Sequence, residues 1–360
     1  MLKHREITLW KPVLILLFCS FSAANADFQD TFIDPEDGMF DASKYLSEQR
    51  FGFLPVPMII TEPAIGVGLG MAAIFFHESE EQKKQRISES IETGKSILPE
   101  NISIVAGGLT DNGTWLAGLA HLGFWKEDTV RYKGFMGYPS INMDFYSLGG
   151  QELPTPVELN LEGGAIYNQL TFRLGESDWF LGVHQIYGSI TTELARHSDE
   201  DQLPPLQTVP QVDDFFEANL NQSIAASGVG LLAEFGSRNN QFNTEQGYDY
   251  SIKYLWFDGA IGSDNDYSTY SATGLNYWTL AEKFVLGFRL QYDGASSSDD
   301  SRLPVYVPPY IKLRGIPAGR YQGNNVAVSE IQLDYKLTPR WKVGAFLGAG
   351  RAAQDFTGLD

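Results

Sequence analysis

The chain has 360 residues, 43% of them hydrophobic and 13% aromatic, with a formal charge of −19. Enough apolar material is present for a sizeable core, so disorder is excluded, and 45 acidic against 26 basic side chains, with no Lys/Arg stripe, exclude a nucleic-acid partner. One Cys and 36 Gly without a collagen period exclude disulfide scaffolds and triple helices.

Lys3, Arg5 and Lys11 precede an apolar run from Val13 to Phe21, and Ala24-Asn25-Ala26 sets small residues where a signal peptidase reads. Residues 1–26 are therefore expected to be a signal peptide cleaved before Asp27. The run is too short for a retained anchor, and Phe18 stands where a lipoprotein signal at Cys19 would need a small residue. Residues 27–63 are expected to form an N-terminal extension and residues 64–360 a barrel domain.

No later stretch has eighteen uninterrupted apolar residues, so helical membrane spans are not expected. The dominant signal is alternation with period two. From Ala64 to Phe76, Val67, Leu69, Met71, Ala73 and Phe75 oppose Gly66, Gly68, Gly70 and Ala72. Further strands are expected at Ile102–Leu109, Trp115–Phe124, Thr129–Gly137, Ile141–Leu148, Val157–Leu174, Asp178–Ile190 and Gln222–Arg238. Tyr248–Ile261 sets Tyr248, Tyr250, Ile252, Tyr254 and Trp256 against Asp249, Ser251 and Lys253; Tyr267–Thr279 follows it. Lys283–Asp293, Asn325–Leu337 and Arg340–Arg351 complete roughly thirteen strands.

Alternation alone also suits a soluble sandwich. Three features favour a membrane barrel: strands of about ten residues or more, Tyr or Trp near the ends of apolar rows, and opposite rows that are small or polar rather than a second core. The expected fold is therefore all-β, a transmembrane antiparallel β-barrel of about 12–16 strands. The long connections His77–Asn101, Thr191–Asn221 and Gly294–Asn324 are expected on one rim, and the tight turns Thr110–Thr114, Gly175–Ser177 and Thr338–Pro339 on the other. An odd count conflicts with the even numbers of bacterial barrels. Either a strand is miscounted or strands are missing after Arg351.

Soluble-enzyme motifs give little. Gly68-Leu69-Gly70-Met71-Ala72-Ala73 fits a loose dinucleotide fingerprint, but it lies inside an alternating strand with no amphipathic helix after it. No His pair has zinc spacing, so neither a metal nor a cofactor is expected. A Ser and a His could still meet on the outer wall as in a lipid hydrolase, with His121 and His184 as the candidates. The acidic groups Glu78, Glu80 and Glu81, Asp199 to Asp201, and Asp299 and Asp300 suit hard cations bridging lipopolysaccharide; runs of this kind are more often solvated.

At Leu313-Arg314-Gly315-Ile316, late in the loop that ends at Asn325, the chain resembles the bacterial surface-antigen outer-membrane barrel superfamily, which includes assembly factors and two-partner secretion transporters. The resemblance implies that an Arg-Gly-aromatic tip on a long loop folds into the lumen and that its Arg meets acidic residues on the following strands. Here the tip is Arg314-Gly315-Ile316, with the aromatic replaced. Glu330, on one face with Gln332 and Asp334, matches the inward Glu, and Gly348 takes the place of the second acid. Only residues 27–63 precede the first expected strand, so the chain looks like a barrel-only member without polypeptide-transport-associated domains.

The expected function is non-enzymatic: a gated pore, or a role in transport or assembly at the outer membrane. Arg314, Gly315, Ile316 and Glu330 form its lumen lock. The alternative is a lipid hydrolase with its site on the barrel. Expected partners are outer-membrane lipid and lipopolysaccharide, with the barrel assembly machinery during biogenesis.

Overall fold

The computed structural model describes residues 38–39, 53–93, 101–148, 151–195, 220–240, 243–297, 303–338 and 341–355. Residues 1–54 form one unit and residues 55–360 a second. The expected signal peptide, the acidic groups at 199–201 and 299–300, and residues 356–360 lie outside the described residues.

Among the described residues, thirteen strands form one sheet in chain order. They are β1 (Leu54–Glu62), β2 (Gly66–Phe76), β3 (Asn101–Thr110), β4 (Trp115–Trp125), β5 (Val130–Leu148), β6 (Gln151–Arg173) and β7 (Trp179–Leu194). After these come β8 (Gln222–Gly236), β9 (Gly247–Phe257), β10 (Tyr267–Ala281), β11 (Phe284–Ser297), β12 (Asn325–Lys336) and β13 (Lys342–Ala353). Every neighbouring pair from β2 to β13 is antiparallel. One helix, α1 (Glu80–Thr93), lies between β2 and β3. Ser79 and Gln82 close a reciprocal capping box at its start, and Arg86 holds Glu78 through two hydrogen bonds of 2.9 and 2.8 Å.

Two compensating differences from the sequence reading leave the strand number near its expected value. Residues 129–137 and 141–148 are not separate strands; β5 runs straight through Pro139. The proline lacks a ladder donor, and its cost is confined to one side. Leu116 still pairs Pro139 from β4, whereas the β6 register skips Tyr138 and Pro139 opposite Gly163 and Gly164. The second difference is β1, a strand disguised by Pro55 and Pro57 within the expected N-terminal extension.

Merging those strands reverses the parity of all that follows. The connection containing α1 therefore lies on the rim of the short turns 126–129, 174–178, 282–283 and 337–341. The connections 195–221 and 298–324 share the opposite rim. The expectation that all three long connections share one rim is corrected accordingly.

The alternation separates two walls. Leu69, Leu231 and Leu347 on the outward rows are 68%, 68% and 74% exposed, as an apolar band facing lipid requires. Trp115 stacks on Tyr138 at one end of β4 and Trp125 on Tyr132 at the other. The inward rows surround residues 303–324. Val305 packs with Phe145, Leu148, Val157 and Leu159 of β5 and β6. Leu303 and Val307 pack with Ala226, Phe257 and Tyr267 of β8 to β10. The Ala318 N–H donates to the Glu62 carboxylate of β1 at 3.2 Å. Strands from both ends of the sheet order thus meet one loop, which places the loop inside a rolled sheet.

Across the short-turn rim, Glu245 takes ion pairs from Lys336 at 2.6 Å and Lys342 at 3.3 Å. The Lys336 hydrogen bond, opposed by burial and aided by Lys342, holds the Glu245 carboxyl below its ordinary range. A carboxyl depressed in the folded state stabilises above its unfolded pKa and loses that contribution as pH falls through the folded value.

Two outcomes are expected on semi-native gels. The unboiled protein should run as a compact, heat-labile band, and Leu159→Ala, which opens a cavity at a fully buried position at a cost of about 2–5 kcal/mol, should lower the temperature at which that band is lost. A band that never shifts on boiling would mean that the rolled sheet does not close in detergent. The transition temperature should also fall as pH drops through the carboxylate range. Glu245→Gln should flatten that dependence.

Candidate functional site

The loop tip expected to lock the lumen does reach the inner wall. The Ile316 N–H donates to the Leu313 carbonyl at 3.1 Å, closing a tight turn whose third residue, Gly315, has φ +81°. Such a turn favours glycine because a side chain is strained at positive φ. Nothing lies near the position of a Gly315 Cβ, so conformation rather than space selects the residue.

The turn projects Arg314 toward β12. Its Nη2 donates to Glu330 Oε1 at 2.6 Å and its Nε to Oε2 at 3.3 Å. Nη2 also donates to Gln332 Oε1 at 2.5 Å, and Gln332 in turn donates to Asp334 Oδ1 at 2.6 Å. Glu330 is only 8% exposed. A two-point guanidinium contact matches a carboxylate in a way that an ammonium does not.

Phe346, on the inward row of β13, lies under the guanidinium with 4.0 Å from Cζ to the ring centre. The aromatic missing from the tip is thus present on the wall. Ile316 packs with Ile311, Val326 and Val328. Gly348 has a steric role: a Cβ there would stand 2.6 Å from Leu313 Cδ2, and one on Gly350 would stand 2.7 Å from Ile311 Cγ2. Residues 311–313 lie directly on this glycine track.

Other contacts hold the same loop. Lys312 Nζ stands 3.6 Å from Asp293 Oδ2, and Arg320 lies over the Tyr146 ring at 4.0 Å. Gln332 and Phe346 were legible as members of inward rows. Glu62 and Tyr146 carried no such signal.

The two histidine candidates separate. His184 is buried on the inner wall, where Nε2 faces the Tyr254 carbonyl at 3.1 Å and no serine is among its hydrogen-bond partners. His121 is on the outer wall, directly across from Ser103. Its Nδ1 stands 2.9 Å from Ser103 Oγ, and the same oxygen stands 2.8 Å from His77 Nε2. Sequence spacing could not find this group, because it depends on the β2, β3 and β4 registers.

No family model and no curated protein sequence matches the chain. Among solved structures it is similar to BamA from Haemophilus ducreyi lacking POTRA domains 1–3, with 12% identity, 90% of this chain and 68% of that chain covered, and a TM-score of 0.50. It is also similar to outer-membrane expressed OmpT of Vibrio cholerae, with 9% identity, 81% and 80% covered, and a TM-score of 0.33. The chain has the fold of a transmembrane antiparallel β-barrel. Its likeness to BamA is one of fold, and that fold supports a bacterial outer-membrane location for the barrel.

Arg314→Ala should free the loop by removing charged hydrogen bonds worth about 1.5–3 kcal/mol, seen as faster proteolysis within residues 303–324 of the folded barrel. Arg314→Lys should recover only part of the protection. Gly348→Asp, although it supplies the second acid of the related pattern, should undock the loop because Leu313 occupies its space. Protection equal to wild type in Gly348→Asp would sink this account of the glycine track.

Proposed function

We propose that this barrel is a gated pore of the surface-antigen superfamily, acting in transport or assembly at the outer membrane, with residues 303–324 as its gate. The observation that carries the reading is the placement of this one loop against β1, β5, β6, β8 to β10 and β12, with Arg314 and Glu330 joined at its tip.

A gate needs a closed position that is stable and a fastening that can be released. Apolar packing of Leu303, Val305 and Val307 favours the closed position. The fastening is polar and compact. The Arg314 side chain is 45% exposed while that of Glu330 is 9% exposed, so lumen water can compete for one partner and not for the other. Release would leave a desolvated carboxylate on the wall, which makes the fastened state the resting one.

Under this reading the chain is exported through a cleaved signal peptide at residues 1–26 and is inserted by the barrel assembly machinery. Its lasting partners are outer-membrane lipid and lipopolysaccharide. The expected passage is small and selective, since an undocked loop opens a path lined by Arg289, Gln291, Asp293, Gln332 and Asp334.

Conductance in planar bilayers tests the reading. Arg314→Ala and Glu330→Ala should each raise open probability by roughly tenfold, the factor that corresponds to about 1.4 kcal/mol. Phe346→Ala should have a smaller effect of the same sign. Unchanged conductance in Arg314→Ala, with proteolysis showing the loop released, would remove the gate.

A further inference from the structure

We propose that the outer wall carries a second site, independent of the lumen: an acyl-ester site with Ser103 as nucleophile and His77 and His121 sharing the roles of base and oxyanion donor. Its substrate class is a glycerophospholipid of the surrounding bilayer.

The first observation is the hydrogen bonding. Ser103 Oγ has His77 Nε2 at 2.8 Å and His121 Nδ1 at 2.9 Å. A hydroxyl carries one proton. With both ring nitrogens bonded to Oγ, at most one ring accepts that proton and at least one presents an N–H. With one ring accepting and the other donating, the arrangement supplies a base and a hydrogen-bond donor at one oxygen, the two functions that acyl transfer from an ester requires.

The second observation is depth. On β4 the outward row runs Trp115, Ala117, Leu119, His121, Gly123, Trp125, with stacked aromatic pairs at both ends. Ten residue steps at about 3.3 Å, tilted by about 40°, span about 25 Å, the height of a lipid-facing band. His121 stands four steps from Trp125 with its ring 6.2 Å from that of Tyr132, while His77 directly follows the end of β2 and Ser103 is the third residue of β3 on that same rim. The Trp125 and Tyr132 pair marks the interface, where acyl chains join glycerol, on the rim where most connections are short, the periplasmic side in barrels of this class.

The third observation is a groove. A cavity of about 620 Å³ opens on the same wall, lined by Val105, Leu119, Met136, Tyr138, Ile166 and Tyr187. Val105 and Leu119 are the next outward residues after Ser103 and His121. The groove therefore begins one outward step beyond the polar group and runs away from it toward the Trp115 and Tyr138 pair. Its volume and apolar lining suit an acyl chain of a lipid whose ester lies beside the Ser103 end. Polar side chains on the lipid-facing wall are costly, and the same row continues as Asn168 and Gln185, which satisfy each other and the Tyr132 hydroxyl. Only the Ser103 end combines a nucleophile with bases.

The reaction balances with water as co-reactant. Oγ bonds to the ester carbonyl carbon as its proton passes to the accepting imidazole, and the carbonyl electron pair moves to oxygen, facing the N–H of the other ring. Collapse breaks the bond to glycerol, whose oxygen takes the proton from the imidazolium. Water, deprotonated by the same ring, then releases the acyl group as a fatty acid and restores Ser103.

The full barrel in vesicles of phosphatidylethanolamine with labelled acyl chains provides the test, alongside a fluorophosphonate probe read by peptide mass spectrometry. Probe adduct on Ser103 and release of labelled fatty acid are expected. Release should be abolished in Ser103→Ala and lowered about 10²–10⁴-fold in His77→Asn and His121→Asn, with all three keeping the heat-labile compact band. Arg314→Ala should hydrolyse as wild type does, which separates this site from the gate. No adduct on wild-type Ser103 would overturn the proposal, and so would an adduct without fatty-acid release. Release that persists in Ser103→Ala would assign the activity elsewhere and overturn it as well.

Discussion

The structure depends on one constraint: a sheet rolled in lipid must satisfy its backbone without water and must also fill its interior. Antiparallel pairing meets the first demand from β2 to β13. The second is met by the chain itself. The inward rows are rich in glycine and alanine near β2 to β4 and β13, which makes room, and residues 303–324 supply the bulk. Where the loop touches β5 and β6 the wall turns apolar instead, and Phe145, Leu148 and Leu159 are nearly inaccessible there. The barrel thus has a core, but one assembled around a loop rather than between layers.

The charged residues of the inner wall act as braces. Lys133 of β5 meets Glu234 of β8 at 3.1 Å, spanning two intervening strands. Glu245 ties the β8–β9 connection to β12 and β13. At the short-turn rim Asp128 lies between Arg131 and Arg173, and both guanidiniums cover the Phe180 ring. The first two braces join places that the hydrogen-bond ladder does not join directly. Together they resist sliding and flattening of the sheet, a service that neighbouring strands cannot supply. With a formal charge of −19 overall, committing cations to these braces leaves the chain's surplus charge negative.

The sequence showed most of this fold because period two is a local property. Apolar rows such as Phe284 to Tyr292 need no knowledge of their partners. Arg314 and Glu330 were legible for a different reason: Arg314-Gly315-Ile316 and the inward Glu of the next strand resemble the surface-antigen pattern. The misreadings arose where one residue's usual meaning was overridden. Pro139 ordinarily breaks a strand, yet a pair of glycines on β6 absorbs the missing bond. Pro55 and Pro57 hid β1 in the same way. Contacts between distant segments, Glu62 with Ala318 or His77 with Ser103, depend on register and curvature. Neither is written in any short stretch of sequence.

Alternation also explains how two chemistries can share a set of strands. Adjacent residues on β3 point to opposite walls, so Ile102 and Ile104 line the lumen while Ser103 and Val105 face lipid. A change at Ser103 need not disturb the packing behind it, and a change at Arg314 lies across the lumen from the outer wall. The backbone between them is held by ladder bonds on both sides, which limits transmission from one wall to the other. A two-faced sheet therefore allows the lumen to specialise in passage and the lipid face in recognition of the bilayer, each under its own physical constraint. Inside, charges must be paired across a narrow space. Outside, the few polar groups must sit at the depth where the membrane itself turns polar.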